Sequence, residues 1–160
     1  MRWKRLLAGT TGTLLSFCAV SPAWAHPPTP PGDACSLLTQ ARVSAVLGVA
    51  VGAGERVVPS SPLMCGWAQP GGPTATSKKV VVAIITVDQF THEKSPLPGI
   101  AETSESGIGD EAHYMTTPGF GTGLSVKKGN YAFKVRVYGY PLDQIKAMEK
   151  TLAQDILAKL

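Results

Sequence analysis

Residues able to carry acid–base or nucleophilic chemistry are concentrated in one short polar stretch. Asp110, Glu111 and His113 lie there, with Ser104 and Ser106 just before them. A carboxylate beside a histidine can transfer protons, and a serine can act as a nucleophile. However, no G-x-S-x-G motif exposes a serine, and Glu111 and His113 share one face of a predicted strand. We interpret the stretch as a polar turn followed by the solvent-facing side of a strand. An enzyme that uses the Asp110/His113 region is the alternative.

A metal site at His26 is the second candidate, and it depends on proteolytic processing. Cleavage after Ala25 would leave His26 with a free α-amino group, which can chelate copper together with the ring nitrogen. His92 or His113 would then have to complete a three-nitrogen site. Because a copper site needs a rigid platform and His26 begins a Pro-rich segment, we predict no metal and no other cofactor. A metal-binding protein using His26 is the alternative.

Cations and tyrosines alternate near the C-terminal end of the chain. On one exposed sheet face they could bind an anionic or sugar polymer, or a protein. An ordinary solvated face is the plainer interpretation, because clusters of charge are common in single sequences. The residues are Lys127, Lys128, Lys134, Arg136, Tyr138 and Tyr140, and the last four form the candidate binding surface.

Three glycines, Gly119, Gly121 and Gly123, resemble a nucleotide-binding loop. A dinucleotide fingerprint requires a helix N-terminus directly after the glycines. Here a strand is predicted instead, so we interpret these glycines as a bend between strands.

Residues 1–25 have the pattern of a secretory signal peptide. Arg2, Lys4 and Arg5 precede an apolar run, and Ala23-Trp24-Ala25 supplies the small residues of a cleavage site. A membrane anchor and lipid attachment at Cys18 are the alternatives. We predict an exported protein, periplasmic or secreted, without a membrane span after processing.

The predicted removal of the signal peptide changes the interpretation of the net charge. The whole chain has 15 basic and 11 acidic residues, and three of the basic residues lie in the signal peptide. The rest of the chain is nearly neutral, which argues against nucleic-acid binding, since that needs clustered Lys and Arg.

Two cysteines, Cys35 and Cys65, remain after cleavage. An even pair in an exported domain predicts a disulfide, although free thiols or metal ligands are the alternative. Trp67 is expected on the same strand face as Cys65, packing near the disulfide in the core.

The pattern of helix and strand signals predicts one α+β domain over residues 35–160, after a flexible Pro-rich lead-in at 26–34. Thr39 and Gly48 bound a short helix, and Pro141 opens a long amphipathic one. Between them we predict a mainly antiparallel sheet of about five to six strands. The predicted strands are 54–58, 63–68, 78–87, 111–116, 124–127 and 131–138. The apolar strand 78–87 is expected to be central and covered on both faces, and 89–108 is expected to be a long loop with one helical turn near Gln89.

Several short motifs give the chain a resemblance to a known group. They are Cys35-Ser-Leu-Leu-Thr39, Leu47-Gly48, Cys65-Gly-Trp67 and Gly107-Ile-Gly-Asp-Glu-Ala112. Residues 35–160 thereby resemble a family of small exported bacterial proteins, often lipoproteins, of uncharacterised function. The resemblance implies a disulfide from helix to strand and an antiparallel sheet flanked by helices. It implies no active site, and this chain lacks the lipidation site of the lipoprotein members.

The sequence therefore favours an exported, non-catalytic binding or interaction module of the cell envelope. We expect a monomer whose partner is an envelope protein or polymer.

Overall fold

The computed structural model describes residues 31–71, 77–95 and 97–160. The predicted signal peptide, Cys18, His26 and most of the Pro-rich lead-in lie outside these residues. In the described residues the chain forms a short 3-10 helix (Ala34–Ser36), three α-helices, α1 (Gln40–Leu47), α2 (Val87–Glu93) and α3 (Leu142–Leu157), and seven strands. The strands are β1 (Glu55–Arg56), β2 (Met64–Ala68), β3 (Lys79–Ile85), β4 (Ala101–Glu105), β5 (Glu111–Thr117), β6 (Gly121–Lys128) and β7 (Tyr131–Tyr138).

All seven strands belong to one antiparallel sheet in the order β1-β2-β3-β7-β6-β5-β4. The α+β class is confirmed, and the sheet has one strand more than predicted. The extra strand is β4, which lies inside the loop predicted over 89–108, so that prediction is wrong for β4. The helical turn predicted near Gln89 is confirmed, and it is longer than one turn because it forms α2.

The helix α1 begins and ends where its capping residues predict. The side-chain oxygen of Thr39 accepts a hydrogen bond from the Arg42 N–H at 3.2 Å. Gly48 then ends the helix with a φ of 66°, which glycine adopts without the steric cost that a side chain would add.

The main core lies between the sheet and the pair α1 and α3. Alternate residues of the central strands enter it, and α3 contributes its apolar face. Fully buried side chains in this layer include Trp67, Val80, Val82, Leu124, Phe133, Val135, Leu152 and Ile156.

A disulfide between Cys35 and Cys65 joins the N-terminal segment to β2, as predicted. Their Cα atoms lie 5.0 Å apart and the residues are separated by 30 positions. Trp67 is only 1% exposed and belongs to the same core, so its predicted place beside the disulfide is confirmed.

One carboxyl group lies inside this core. Glu149 of α3 is fully buried, and its Oε1 accepts a hydrogen bond from the Val137 N–H at 3.0 Å. The pairing of β6 with β7 ends at Leu124 opposite Val135, so Val137 lies just beyond it. Burial raises the pKa of Glu149 from 4.5 to about 8, although the Val137 N–H and the nearby cations Arg136 and Lys146 partly oppose the shift.

Among the described residues, no helix combines the length and the apolarity needed to cross a bilayer.

Candidate functional site

The side of the sheet opposite α3 carries the charged residues of β7, and we call it the α2 face because α2 packs on it. Side chains alternate along β7. Phe133 and Val135 enter the main core, whereas Lys134, Arg136 and Tyr138 lie half-buried on the α2 face. Three of the four residues of the predicted binding surface therefore share one face.

Tyr140, the fourth residue of that predicted surface, lies beyond the end of β7. Its hydroxyl donates to the carbonyl oxygen of Leu47, the last residue of α1. Because α1 packs on the opposite side of the sheet with α3, Tyr140 helps to hold α1 in place and lies apart from Tyr138.

Helix α2 covers only parts of β5, β6 and β7 on the α2 face. Phe90 is 1% exposed, and its ring centroid lies 4.6 Å from that of His113. On β3, in contrast, Val81 lies opposite Arg136 and is only half-buried. The central position predicted for this strand is confirmed, but its predicted coverage on both faces is wrong, because α2 is too short to reach across β3.

A polar cluster fastens the end of α2 to the sheet. The Glu93 carboxylate accepts hydrogen bonds from the Ser125 hydroxyl at 2.6 Å and from the Lys134 ammonium, and His113 Nε2 lies 3.6 Å away. Partial burial alone would raise the pKa of Glu93. The contacts with His113, Lys134 and Ser125 outweigh it and lower that pKa from 4.5 to about 2.

A second ion-pair cluster lies beside the first. The Glu111 carboxylate accepts hydrogen bonds from Lys127 and Lys94, and these bonds lower its pKa to about 2. Both ammonium groups also approach the Phe90 ring, at 5.9 and 5.2 Å from its centroid. The two clusters together anchor α2.

Replacing Glu93 with Gln is expected to lower the free energy of unfolding at pH 7 by roughly 1–3 kcal/mol, because Lys134 loses its anionic partner. The lowered pKa means that the stabilisation by the carboxylate is complete above about pH 4.5 and declines as the pH falls towards about 2. Urea unfolding of both proteins at pH 7 and at pH 2.5 measures the difference, which should shrink at the lower pH. The exposed Glu102→Gln is the control, and wild-type stability of Glu93→Gln at pH 7 would contradict the assignment.

The polar stretch that was the first catalytic candidate has structural contacts instead. The Asp110 carboxylate accepts a hydrogen bond from the Gly129 N–H at 2.7 Å and so supports the turn between β6 and β7. His113 is fully buried, so the prediction that it lies on the solvent-facing side of a strand is wrong. The physical reason is α2, whose Phe90 covers it. Ser104 lies opposite His113 in the sheet register, but it is exposed on the edge strand.

A groove of about 260 Å³ opens on the α2 face next to the end of α2. Its floor is formed by β5, β6 and β7, and one wall is formed by Leu97 and Ile100, which precede β4. The groove is lined by Glu93, Leu97, Ile100, Met115, Thr117, Gly123, Lys134 and Arg136.

Gly123 determines where the Arg136 side chain lies in this groove. A Cβ atom at position 123 would stand 2.8 Å from Arg136 Cγ, closer than carbon atoms approach without a shift. The space left by glycine lets the arginine lie flat across β6, where Nε and Nη2 each reach a backbone carbonyl at 3.4 Å, those of Thr122 and Phe120. Gly123 belongs to β6 and not to the bend that we predicted for the three glycines.

Two cations and one tyrosine lie together on the open part of this face. Arg136 and Lys79 approach the Tyr138 ring at 5.4 and 4.9 Å from its centroid. Among the described residues, neither cation has a carboxylate within 4.0 Å. This stack of two cations and one tyrosine is the part of the surface best suited to bind an anion.

Glu93, Ser125 and Met115 belong to this site but were not predicted from the sequence. The local signal for α2 was present, since Thr86 and Gln89 form a capping box that starts the helix. No local signal places Ser125 or Met115 beside it, because they come from strands that are brought there by the sheet register. Within the described residues, no group of three His, Cys, Asp or Glu side chains could hold a metal ion.

Comparisons with known proteins give no match. No family model fits the chain, and no curated protein or solved structure is significantly similar to it. The function therefore has to be inferred from the geometry and charge of the α2 face.

Proposed function

We propose that this protein is an exported, non-catalytic binding module of the cell envelope that binds an anionic partner through its α2 face. The observation that carries the proposal is the pair Arg136 and Lys79 around Tyr138, neither of which has a carboxylate within 4.0 Å among the described residues. Antiparallel sheets can leave one face to solvent, and charges of both signs are normally interspersed on such a face. Two unpaired cations stacked on a tyrosine provide both charge and a flat contact area for a partner.

The contacts of the candidate catalytic groups support a non-catalytic role. His113 and Ser125 are fully buried, and the Glu93 carboxylate is occupied by Ser125 and Lys134. A nucleophile or general base must reach the substrate within hydrogen-bond distance, and His113 and Ser125 are enclosed between α2 and the sheet. The same arrangement is well explained as an anchor for α2.

Export is supported by two independent features. The signal-peptide pattern of residues 1–25 directs the chain out of the cytoplasm, and the Cys35–Cys65 disulfide is of the kind that persists in oxidising compartments.

The experiment measures equilibrium binding of the purified protein to isolated cell envelopes of its own organism. The protein is taken from the exported fraction, and its intact mass is expected to correspond to a chain that begins at His26. The variant Arg136→Gln/Lys79→Gln should bind at least about fivefold more weakly, since a contact to a charged group contributes on the order of 1–3 kcal/mol. Binding of the wild type should also weaken at high salt.

The matched control is Lys128→Gln, which removes one exposed lysine from the end of β6 outside the α2 face. It should bind like the wild type. Equal binding by the double variant and the wild type would overturn the proposal for this face.

A further inference from the structure

The groove beside α2 has an apolar wall and a charged end. Leu97, Ile100 and Met115 form the wall, and Leu97 is 49% exposed although it is a large aliphatic side chain. Arg136 and Lys134 lie at the charged end, together with Glu93. An apolar wall next to cations is the arrangement that holds a ligand with an apolar body and a negative head.

The charges of the groove indicate how much negative charge the ligand carries. Lys134 is paired with Glu93, so Arg136 supplies the one positive charge left over. Its Nε and Nη2 donate only to carbonyl oxygens at 3.4 Å, the long limit of a hydrogen bond, and its Nη1 has no hydrogen-bond partner among the described residues. A planar guanidinium matches a carboxylate. A doubly charged phosphate monoester would be repelled by Glu93.

The volume indicates a small ligand. A cavity of about 260 Å³ lies just below the range of roughly 300–1,000 Å³ that is usual for small-molecule sites. The groove is therefore expected to take a small ligand, on the order of ten non-hydrogen atoms.

We infer that this groove binds a small amphipathic monocarboxylate, with its carboxylate on Arg136 and its apolar chain against Leu97, Ile100 and Met115. The inference rests on the proposed function because both use the α2 face for binding. It adds the class of ligand for one site on that face. The groove shares Arg136 with the proposed surface but does not include Lys79, so Lys79→Gln alone separates the two sites: it should weaken envelope binding and leave the groove unchanged.

The test titrates the protein, labelled with ¹⁵N, with octanoate, 1-octanol and octylammonium, which share one chain length and differ in the charge of the head. We expect octanoate to shift the amide signals of Met115, Gly123 and Arg136 with a Kd below the millimolar range. Octanol should bind at least about tenfold more weakly, and octylammonium should not shift these signals, because an ion pair with Arg136 is replaced by a neutral or a like-charged contact.

Two variants separate the anchor from the apolar wall. Arg136→Gln should weaken octanoate binding at least about tenfold and leave octanol unchanged. Gly123→Ala keeps every charge but forces the Arg136 side chain to move, so it should also weaken octanoate. Lys128→Gln is the control, and the amide spectrum of each variant shows whether it is folded.

The outcomes distinguish this inference from the proposed function. Equal affinities for octanoate and octanol would overturn the carboxylate site. An affinity for octanoate that is unchanged in Arg136→Gln would also overturn it. No octanoate binding, with envelope binding that still depends on Lys79 and Arg136, would overturn the carboxylate site and leave the proposed function in place. Octanoate binding as expected, without envelope binding, would support the groove site and overturn the envelope role.

Discussion

Removing the Cys35–Cys65 disulfide is expected to lower the free energy of unfolding by about 3–4 kcal/mol, because the bond closes a loop of 30 residues in the unfolded chain. For a domain of this size, such a change lowers the melting temperature by about 10 °C or more. Calorimetry of Cys35→Ala/Cys65→Ala against the wild type under non-reducing conditions measures the effect.

The reduced wild type provides the control for packing. Cys65 is fully buried, so alanine removes sulfur atoms from the core as well as the covalent bond. In the reduced wild type both sulfur atoms stay in the protein and only the covalent bond is lost. The reduced wild type should therefore be nearly as unstable as Cys35→Ala/Cys65→Ala. A reduced protein that melts within about 3 °C of the oxidised one would contradict a stabilising role for the loop closure.

Replacing Glu149 with Gln is expected to stabilise the protein above pH 8 and to remove most of its loss of stability between pH 5 and 8. With the pKa raised from 4.5 to about 8, the folded chain keeps a proton that the unfolded chain releases above about pH 4.5. The free energy of unfolding of the wild type therefore falls as the pH rises through this window. The protonated form contributes its full stability only below about pH 4.5, and above about pH 8 this contribution is lost.

The amide variant mimics the protonated carboxyl and keeps an oxygen acceptor for the Val137 N–H. At pH 9 the gain over the wild type should be on the order of a few kcal/mol, whereas at pH 5 the two proteins should be about equally stable. Urea unfolding at pH 5, 7 and 9 measures this, with the exposed Glu55→Gln as control. Parallel stability curves for the wild type and Glu149→Gln would show that burial of Glu149 does not govern the pH dependence.

Elements with local signals could be predicted from the sequence. The capping residues Thr39 and Gly48 bound α1, and the period-two pattern of residues 131–138 identified β7 and the face on which Arg136 and Tyr138 lie. These signals involve residues that are neighbours in the chain, so a single sequence contains them.

Elements that depend on tertiary contacts could not be predicted in the same way. The strand β4 is almost entirely exposed and has no alternating apolar pattern, and it forms because its backbone pairs with β5. The helix α2 has seven residues, too few to be stable alone. It is held by Phe90 and by Glu93, whose partners come from β5, β6 and β7.

The residues of the candidate site also differ in whether local signals or tertiary contacts determine their positions. Lys134, Arg136 and Tyr138 could be placed together from their spacing, whereas Tyr140 could not be separated from them without the turn after β7. The buried positions of His113 and Glu149 also escaped prediction, because a polar side chain inside a strand or helix pattern normally indicates the solvent side. Each is buried by a segment that is distant in the sequence. Helix α2 covers His113, and β7 lies against Glu149 just beyond the end of its pairing with β6.

The position of β7 between β3 and β6 has a consequence for how the sheet assembles. Strands β4 to β7 are consecutive in the chain, and so are β1 to β3, so each set can pair through short connections. The two sets are joined by the β3–β7 pairing alone, in which Ile85 lies opposite Ala132 and about 46 residues lie between them. Closing a segment of that length costs about 3 kcal/mol of chain entropy. The contacts between β3 and β7 offset this cost only when both sets are already formed. The centre of the sheet, its most buried part, is therefore also the junction on which the cooperativity of the whole fold depends.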